Sequence, residues 1–313
     1  TWCNQGAQLS KFLIITPILL VKFDEAEIAC WLLFASLNVF GVIVASRLAV
    51  AFARMIAFAM AGATDLSPIQ HGHSKRGDGR PNWERIKAAY STLGCFQWGS
   101  ALACGIVAWL MGEYGLHDLL QDSPDPEAIR IAFLIFIVSN VIIFAEGRYA
   151  VTLTGINKVA LINWFNAAFS MASVLVGALV LLLDGGIVPL SLGMQGVNLL
   201  GVIRNRWILL YQCDEGRNLR QIHTPLFDKQ IAKWALQVAL RSTAGMLVGT
   251  GLVQVSGIVV ARHFAPAEAA SYLLATRIAA VITTLGDVPF YSQVPKFARW
   301  LSEGRLGELR GAV

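Results

Sequence analysis

The sequence has few charged residues for its length. Only 14% of its 313 residues are charged, whereas 56% are hydrophobic. A soluble domain carries about 25% charged residues, so this composition predicts an integral membrane protein. The net charge of +5 follows membrane topology, and we expect no nucleic-acid partner.

Motifs for catalysis, disulfides or metal binding are also lacking. The five cysteines are scattered without a CxxC pair, which predicts neither a disulfide framework nor a metal cluster. The pair His71 and His73 lacks carboxylate or cysteine support, so we expect no metal there. Neither a nucleophile–base pair nor a P-loop, HExxH or DxD-like cluster is present, so the chain is not expected to be an enzyme or to hold a cofactor.

The ends of the chain carry their own signal. No cleavable signal peptide is visible. The sequence begins at Thr1 instead of Met and ends at Val313, just after a basic segment. We therefore expect that both ends are cut.

Eight hydrophobic segments have the length of membrane-spanning helices. They cover residues 6–21, 28–46, 86–111, 129–153, 159–183, 187–209, 231–260 and 269–289. Most of the 25 Lys and Arg residues fall on one side when these segments alternate across a membrane. By the positive-inside rule that side is cytoplasmic, and so is the N-terminus. The acidic stretch 113–127 is then an external loop.

Three cations lie inside these segments. Arg241 is about 12 Å from Lys233, and Arg277 is about 13 Å from Glu268, along their helices. Both depths lie near the membrane midplane, where a lone cation costs at least about 2.5 kcal/mol unless it faces protein or water. Lys11 is the third, at a similar depth. Together they predict a cationic cavity; the alternatives are packed arginines satisfied by carbonyl groups, and a Lys11 that snorkels to the interface.

Amide and hydroxyl side chains recur at helical spacing on several segments. Such stripes must turn away from lipid, either to pack helices together or to line a wet cavity. Amides and hydroxyls would suit the hydroxyl groups of sugars. The candidate cavity-lining residues are Gln8, Gln97, Asn163, Asn166, Ser170, Gln195 and Asn198.

Two acids lie within the segments, Glu146 and Asp287. Either is a candidate for H⁺ or Na⁺ coupling, or it simply pairs with a cation, for Glu146 with Arg148 or Lys158. Because the deep cations outnumber these shallower acids, the predicted centre is positive and favours an anionic cargo.

One internal repeat is visible. KFDEAEIACWLL at 22–33 aligns with HFAPAEAASYLL at 263–274, at a constant offset of 241 residues. Segments seven and eight would then repeat one and two in the same orientation, which indicates parallel repeats. Six helices in the first repeat would imply four more beyond Val313. Gly245 and Gly249 on segment seven predict either a bend or close helix packing.

The FDEAEI turn, the WLLFASLN helix after it, the basic stretch that follows and the stretch 271–310 (SYLLATRIAAV to RLGELR) resemble the Wzx-type O-antigen and polysaccharide flippases. These belong to the MOP superfamily, with the MATE exporters and lipid II flippases. The resemblance implies an all-α, polytopic bundle with two six-helix lobes around a central cavity, the second truncated here. The implied domains are 1–210 (helices 1–6), a cytoplasmic linker at 211–228, and 229–313 (helices 7–8).

The resemblance also implies a function. The cargo would be an undecaprenyl-diphosphate-linked oligosaccharide, translocated by alternating access across the bacterial inner membrane. Lys11, Arg241 and Arg277 fit the family's cationic residues that meet the diphosphate. Membrane lipids and other polysaccharide assembly proteins are the further partners expected. Two alternatives stay open: a cation-coupled drug or metabolite exporter of the MATE type, and a membrane-embedded polymerase or acyltransferase that uses His117 and nearby acids.

Overall fold

The chain is helical throughout the residues that the structure describes. The computed structural model describes residues 13–63, 80–220 and 227–302, except for the side chains of residues 241–243, 247, 284, 285 and 287–302. The helices are α1 (Leu13–Lys22), α2 (Glu25–Met60), α3 (Trp83–Gln121), α4 (Pro126–Ala145), α5 (Arg148–Gly155), α6 (Val159–Leu182), α7 (Ile187–Trp207), α8 (Asp214–Arg220), α9 (Lys229–His263) and α10 (Pro266–Ser302). A short π-helix, Ile208–Gln212, continues α7.

Five spans in the described part of the chain are long and apolar enough to cross a membrane. They are α2, α3, α4 with α5, α6, and α7 with the π-helix. A sixth is obtained if the two arms of α9, Lys229–Met246 and Val248–His263, are counted as one span despite a bend of 55°. The helices therefore fit a multi-pass membrane protein, with fewer described spans than the eight predicted. The first and eighth predicted segments correspond to α1, whose predicted start lies outside the described residues, and to α10.

Short polar caps set where several helices begin. Asp24 and Glu27 form a reciprocal capping box at the start of α2. Asn82 accepts from a backbone N–H of α3, and Asp125 does so for α4, where Pro126 occupies the first turn. Asp228 accepts from two N–H groups at the start of α9. Each cap satisfies N–H groups that have no partner within the helix.

Two boundaries differ from the sequence prediction. α3 continues to Gln121 and takes up much of the expected external loop 113–127, because Leu116 and Leu119 are buried in the core at helical spacing. Only a short turn remains before α4. The predicted segment 129–153 is broken at Glu146 and Gly147, which separate α4 from α5.

The predicted repeat appears in the helix boundaries. α1 ends at Lys22 and α9 ends at His263; α2 begins at Glu25 and α10 begins at Pro266. Both pairs of boundaries are separated by the offset found in the sequence. The two hairpins therefore turn in the same way at equivalent residues.

α2 is the central helix, and it packs against α3, α4, α5, α9 and α10. One core cluster surrounds Phe52, Tyr149 and Ile231. It marks what we call the basic end of the bundle, where α2 and α7 end and α3 and α9 begin. A second cluster surrounds Leu33 and Ile258, at the acidic end, where α3 and α9 end and α2, α4 and α10 begin.

Candidate functional site

Arg277 is packed against α2, inside the bundle. Its Nη2 donates to the Oγ of Ser36 at 3.2 Å. Ser36 is only 2% exposed and itself donates to the carbonyl of Leu32. Arg277 lies roughly 16 Å along α10 from its first residue, a depth near mid-membrane. Among the described residues, no carboxylate forms an ion pair with Arg277.

The other predicted deep charges fall outside what the structure describes. Lys11 and Gln8 precede the first described residue, and the side chains of Arg241 and Asp287 are not described. Arg241 lies on α9 and Asp287 on α10, so both positions are helical as predicted. A shared cationic cavity of Lys11, Arg241 and Arg277 therefore stays a prediction.

A cavity of about 330 Å³ lies between α2, α3, α4 and the start of α5. We call it the mid-bundle cavity. Most of its wall is apolar and none of its lining residues is charged. Its polar lining residues are Asn38, Ser46, Gln97 and Asn140. Gln97 alone among these was predicted from the sequence; Asn38 and Asn140 are single amides on otherwise apolar helices, a signal that the stripe pattern did not include.

Gln97 is the most notable side chain of the mid-bundle cavity. It is 2% exposed, and its Oε1 has no hydrogen-bond partner among the described residues. The absence of a side chain at Gly147 makes room for it, since a Cβ there would lie 3.1 Å from the Gln97 Nε2. A buried amide oxygen without a partner is costly, so this acceptor is available to a ligand donor that enters the cavity.

The amides predicted on α6 and α7 do not line the mid-bundle cavity. Asn166 accepts from the Nη2 of Arg204 at 3.0 Å, and Asn198 donates to Gln195 at 3.2 Å. The guanidinium of Arg204 also lies over Phe169, 4.7 Å from the ring centroid. The contacts of Arg204 join α7 to α6, which is the packing alternative for Asn166, whereas the contact between Asn198 and Gln195 lies within α7. Asn163 and Ser170 are half-buried on α6.

Glu146 pairs with one of the two cations expected for it. Its Oε2 accepts from the Nη2 of Arg148 at 3.4 Å, and both side chains are mostly buried. The same Nη2 donates to the hydroxyl of Tyr149 at 3.1 Å. Glu146 is therefore an ion-pair partner, which is the alternative to its role in coupling.

A second cavity, of about 580 Å³, opens at the basic end. We call it the arginine cavity, because Arg148, Arg206 and Arg220 all line it. Its walls come from α3, α5, the end of α7 with the π-helix, and α8. The sequence did not predict it, since its residues come from four distant stretches and only the fold brings them together.

The acids and histidines at the acidic end form structural contacts. Asp118 accepts from Arg262 at 2.5 Å and lies 2.8 Å from the Nδ1 of His117. His263 lies 3.2 Å from the hydroxyl of Tyr114. The contacts of Asp118 with Arg262 and of Tyr114 with His263 join α3 to α9. His117 is exposed and contacts only residues of α3 among the described hydrogen bonds. The described residues contain no group of three His, Cys, Asp or Glu side chains that could hold a metal, and His71 and His73 lie outside them.

The geometry of the described chain thus offers a mid-depth arginine on a repeated hairpin, an amide-bearing cavity and a second cavity lined by arginines. Comparison with protein-family models, with curated proteins and with solved structures finds no match to this chain.

Proposed function

We propose that this chain belongs to a flippase that translocates an undecaprenyl-diphosphate-linked oligosaccharide across the bacterial inner membrane. The observation that carries the proposal is the contact between Arg277 and Ser36. It supports the proposal because the helix rise from the start of α10 predicts a mid-depth position for this cation, and because the contact joins two hairpins that repeat each other.

The charge of Arg277 supports an anionic cargo. A guanidinium at this depth is tolerated when it faces protein or water, and it then marks a substrate or ion pathway. Its partner in the described chain is a neutral hydroxyl and not a carboxylate. Within the described part of the chain, no carboxylate compensates this positive charge, which would therefore attract the diphosphate of a lipid carrier.

The repeated hairpins support alternating access. Transporters built from parallel repeats bind substrate near the midplane, where the repeats meet, and expose the site by moving one repeat against the other. Here α2 packs against both α9 and α10. In the proposed cycle, the diphosphate binds near Arg277, and movement of the two hairpins then exposes it on the other face.

The mid-bundle cavity supports a sugar-bearing cargo. Gln97, Asn38 and Asn140 provide both donors and acceptors without fixed charge, as sugar hydroxyls require. A cation-coupled drug exporter would need acids in this cavity, and its lining residues include neither Asp nor Glu. We therefore favour the glycan carrier over that alternative.

The basic end is proposed to be cytoplasmic, with the N-terminus on the same side, because the excess of Lys and Arg favours that orientation. Alternating access would then carry the glycan from the basic end to the acidic end. Membrane lipids are the solvent of this path, and the prenyl tail would remain in them.

The test is glycan export by cells that express the protein from its whole coding sequence. We expect Arg277→Ala to reduce export about tenfold or more, the loss of one charge-assisted contact, and Arg277→Lys to retain part of it. Arg130→Ala is the matched control, since Arg130 is exposed near the start of α4. Normal export by a normally expressed Arg277→Ala protein would refute the proposal.

A further inference from the structure

The arginine cavity at the basic end carries three guanidinium groups and has no Asp or Glu among its lining residues. One carboxylate, that of Glu146, reaches Arg148 from outside the lining. No carboxylate pairs with Arg206 or Arg220 in the described part of the chain. The cavity therefore holds a net excess of positive charge.

Aromatic rings hold these guanidinium groups by their faces. The ring of Tyr149 contacts two guanidinium groups: the Cζ of Arg148 lies 5.0 Å from its centroid, and the Cζ of Arg206 lies 6.0 Å from it. Arg220 lies 4.7 Å from the ring centroid of Tyr211. Stacking of this kind orients a guanidinium and leaves the N–H groups at its edge available to a planar or tetrahedral oxyanion.

The fold makes room for Arg148 in particular. A Cβ at Gly94 would lie 2.9 Å from the Nη1 of Arg148, so a larger residue there would displace the guanidinium from its place against α3. The Nε of Arg148 is buried and has no hydrogen-bond partner among the described residues. Arg148 is thus fixed at the cavity wall with donor capacity unused.

The rim of the arginine cavity has the character of a membrane interface. Trp98 is 40% exposed and Tyr211 is 57% exposed, and both line the opening. Amphipathic rings of this kind are typical of the headgroup level of a bilayer. A lipid headgroup would reach the cavity there without leaving its leaflet.

We propose that the arginine cavity binds a diphosphate group. Arginines recognise phosphate oxygens through paired N–H donors, and the hydroxyls of Ser91 and Tyr149 add neutral donors. A diphosphate spreads its charge over two phosphorus centres and so meets several arginines at once, whereas a single carboxylate meets one. That the diphosphate belongs to a lipid carrier rests on the proposed function. The arginine cavity would then be the site where that carrier is first captured.

Cys95 offers a native reporter, because it is exposed and lines this cavity. The rate of its modification by a maleimide can be followed by peptide mass spectrometry on the purified protein. Cys104, which lines the mid-bundle cavity, is the internal control. Two probes separate the sources: inorganic diphosphate, and nanodiscs of phosphatidylcholine that contain dioleoylglycerol pyrophosphate, compared with phosphatidylcholine alone.

We expect a diphosphate probe to slow the labelling of Cys95 by about fivefold or more, because a diphosphate held by several arginines would occupy the site next to it. The labelling rate of Cys104 should not change. If only the lipid protects Cys95, the ligand of the cavity is a lipid headgroup. If inorganic diphosphate protects it as well, the cavity also binds the free anion. The double variant Arg206→Gln, Arg220→Gln should lose the protection. Arg217→Gln should keep it, since Arg217 is exposed on α8, pairs with Asp214 and does not line the cavity.

An unchanged Cys95 rate with both probes, or protection that persists in the double variant, would overturn the inference. Its failure is distinguishable from failure of the proposed function. Protection of Cys95 together with normal export by Arg277→Ala would support this binding site and refute the proposed flippase function. Loss of export by Arg277→Ala without any protection of Cys95 would support the flippase function and refute this binding site.

Discussion

Ser36 and Arg277 touch each other, and they occupy equivalent positions of the internal repeat. The Nη2 of Arg277 donates to the Oγ of Ser36, and the two residues are separated by the same 241 residues that separate the repeated turns. A residue contacts its own equivalent only close to the axis that relates two repeats. The contact therefore places this partly buried cation where the two hairpins meet.

This position predicts that the pair can be exchanged. In the variant Ser36→Arg, Arg277→Ser, the guanidinium would come from α2 and the hydroxyl from α10, with nearly the same charge at the same place. We expect the exchanged pair to export glycan better than Arg277→Ser alone, measured at equal expression. Ser36→Arg alone should perform worst, because it brings two cations together in a low-dielectric site. An exchanged variant no better than Arg277→Ser would show that the two positions are not equivalent.

Removal of the hydroxyl should also destabilise the protein. Ser36→Ala leaves a partly buried guanidinium donor without its partner, at a cost of about 1–3 kcal/mol. Thermal unfolding in detergent measures the effect. Ser46→Ala is the control, since the hydroxyl of Ser46 donates only to the carbonyl of Ile43 on its own helix. Equal unfolding temperatures for the two variants would argue against a structural role for the contact.

The start of α9 depends on Asp228. Its carboxylate caps the helix and accepts from Arg85 of α3 at 3.2 Å. Loss of a cap alone costs about 0.5–2 kcal/mol, so Asp228→Ala should lower the unfolding temperature clearly. Asp214→Ala should leave it nearly unchanged, because that carboxylate is 90% exposed and its ion pair with Arg217 is a surface contact. Similar losses in both variants would contradict this role of Asp228.

The bend in α9 has a test of its own. It lies between Met246 and Val248, and a Cβ added at Gly245 or Gly249 would meet no described atom within 4 Å. That favours the bend over close packing as the role of these glycines, although a GxxxG spacing is more often typical of close helix packing. Gly245→Ala with Gly249→Ala should stiffen α9 and add about 1 kcal/mol of helix propensity per site, while slowing export. A lower unfolding temperature would indicate packing after all.

The surroundings of Cys213 predict how its labelling depends on pH. Burial, with Glu215 and Asp214 nearby, raises the pKa of the Cys213 thiol above its usual value. Since the thiolate is the reactive form, less of it exists at neutral pH, and labelling should rise only at more alkaline pH than for a free cysteine. Mass spectrometry of each cysteine peptide over a pH series measures this. Rapid modification of Cys213 at neutral pH would show that its surroundings are open.

Some of this architecture follows from the sequence for clear physical reasons. Hydropathy predicts helices because a membrane demands internal backbone hydrogen bonding, and the repeated turn before α2 and α10 predicts their shared boundaries. The contact of Arg277 with protein is likewise expected from the cost of a cation in lipid. The end of α3 was placed too early because the acidic residues of 113–127 mask the buried leucines among them.

Other features depend on tertiary packing that no single stretch encodes. The arginine cavity combines residues from α3, α5, α7 and α8, and each of its arginines resembles an ordinary topogenic charge when taken alone. Asn38 and Asn140 reach one cavity from two helices, although neither belongs to a polar stripe. In contrast, the amides of α6 and α7 form a clear stripe, yet Asn166 binds Arg204, and Asn198 binds Gln195 of its own helix.

The most direct test of the account is translocation in proteoliposomes by the purified protein expressed from its whole coding sequence. The cargo is an undecaprenyl-diphosphate-linked oligosaccharide, and its appearance on the far leaflet is measured with a membrane-impermeant glycosidase. We predict translocation by the wild type, a loss of about tenfold or more in Arg277→Ala, and recovery in the Ser36→Arg, Arg277→Ser exchange. Translocation by Arg277→Ala at the wild-type rate, or none by the wild type, would contradict the account.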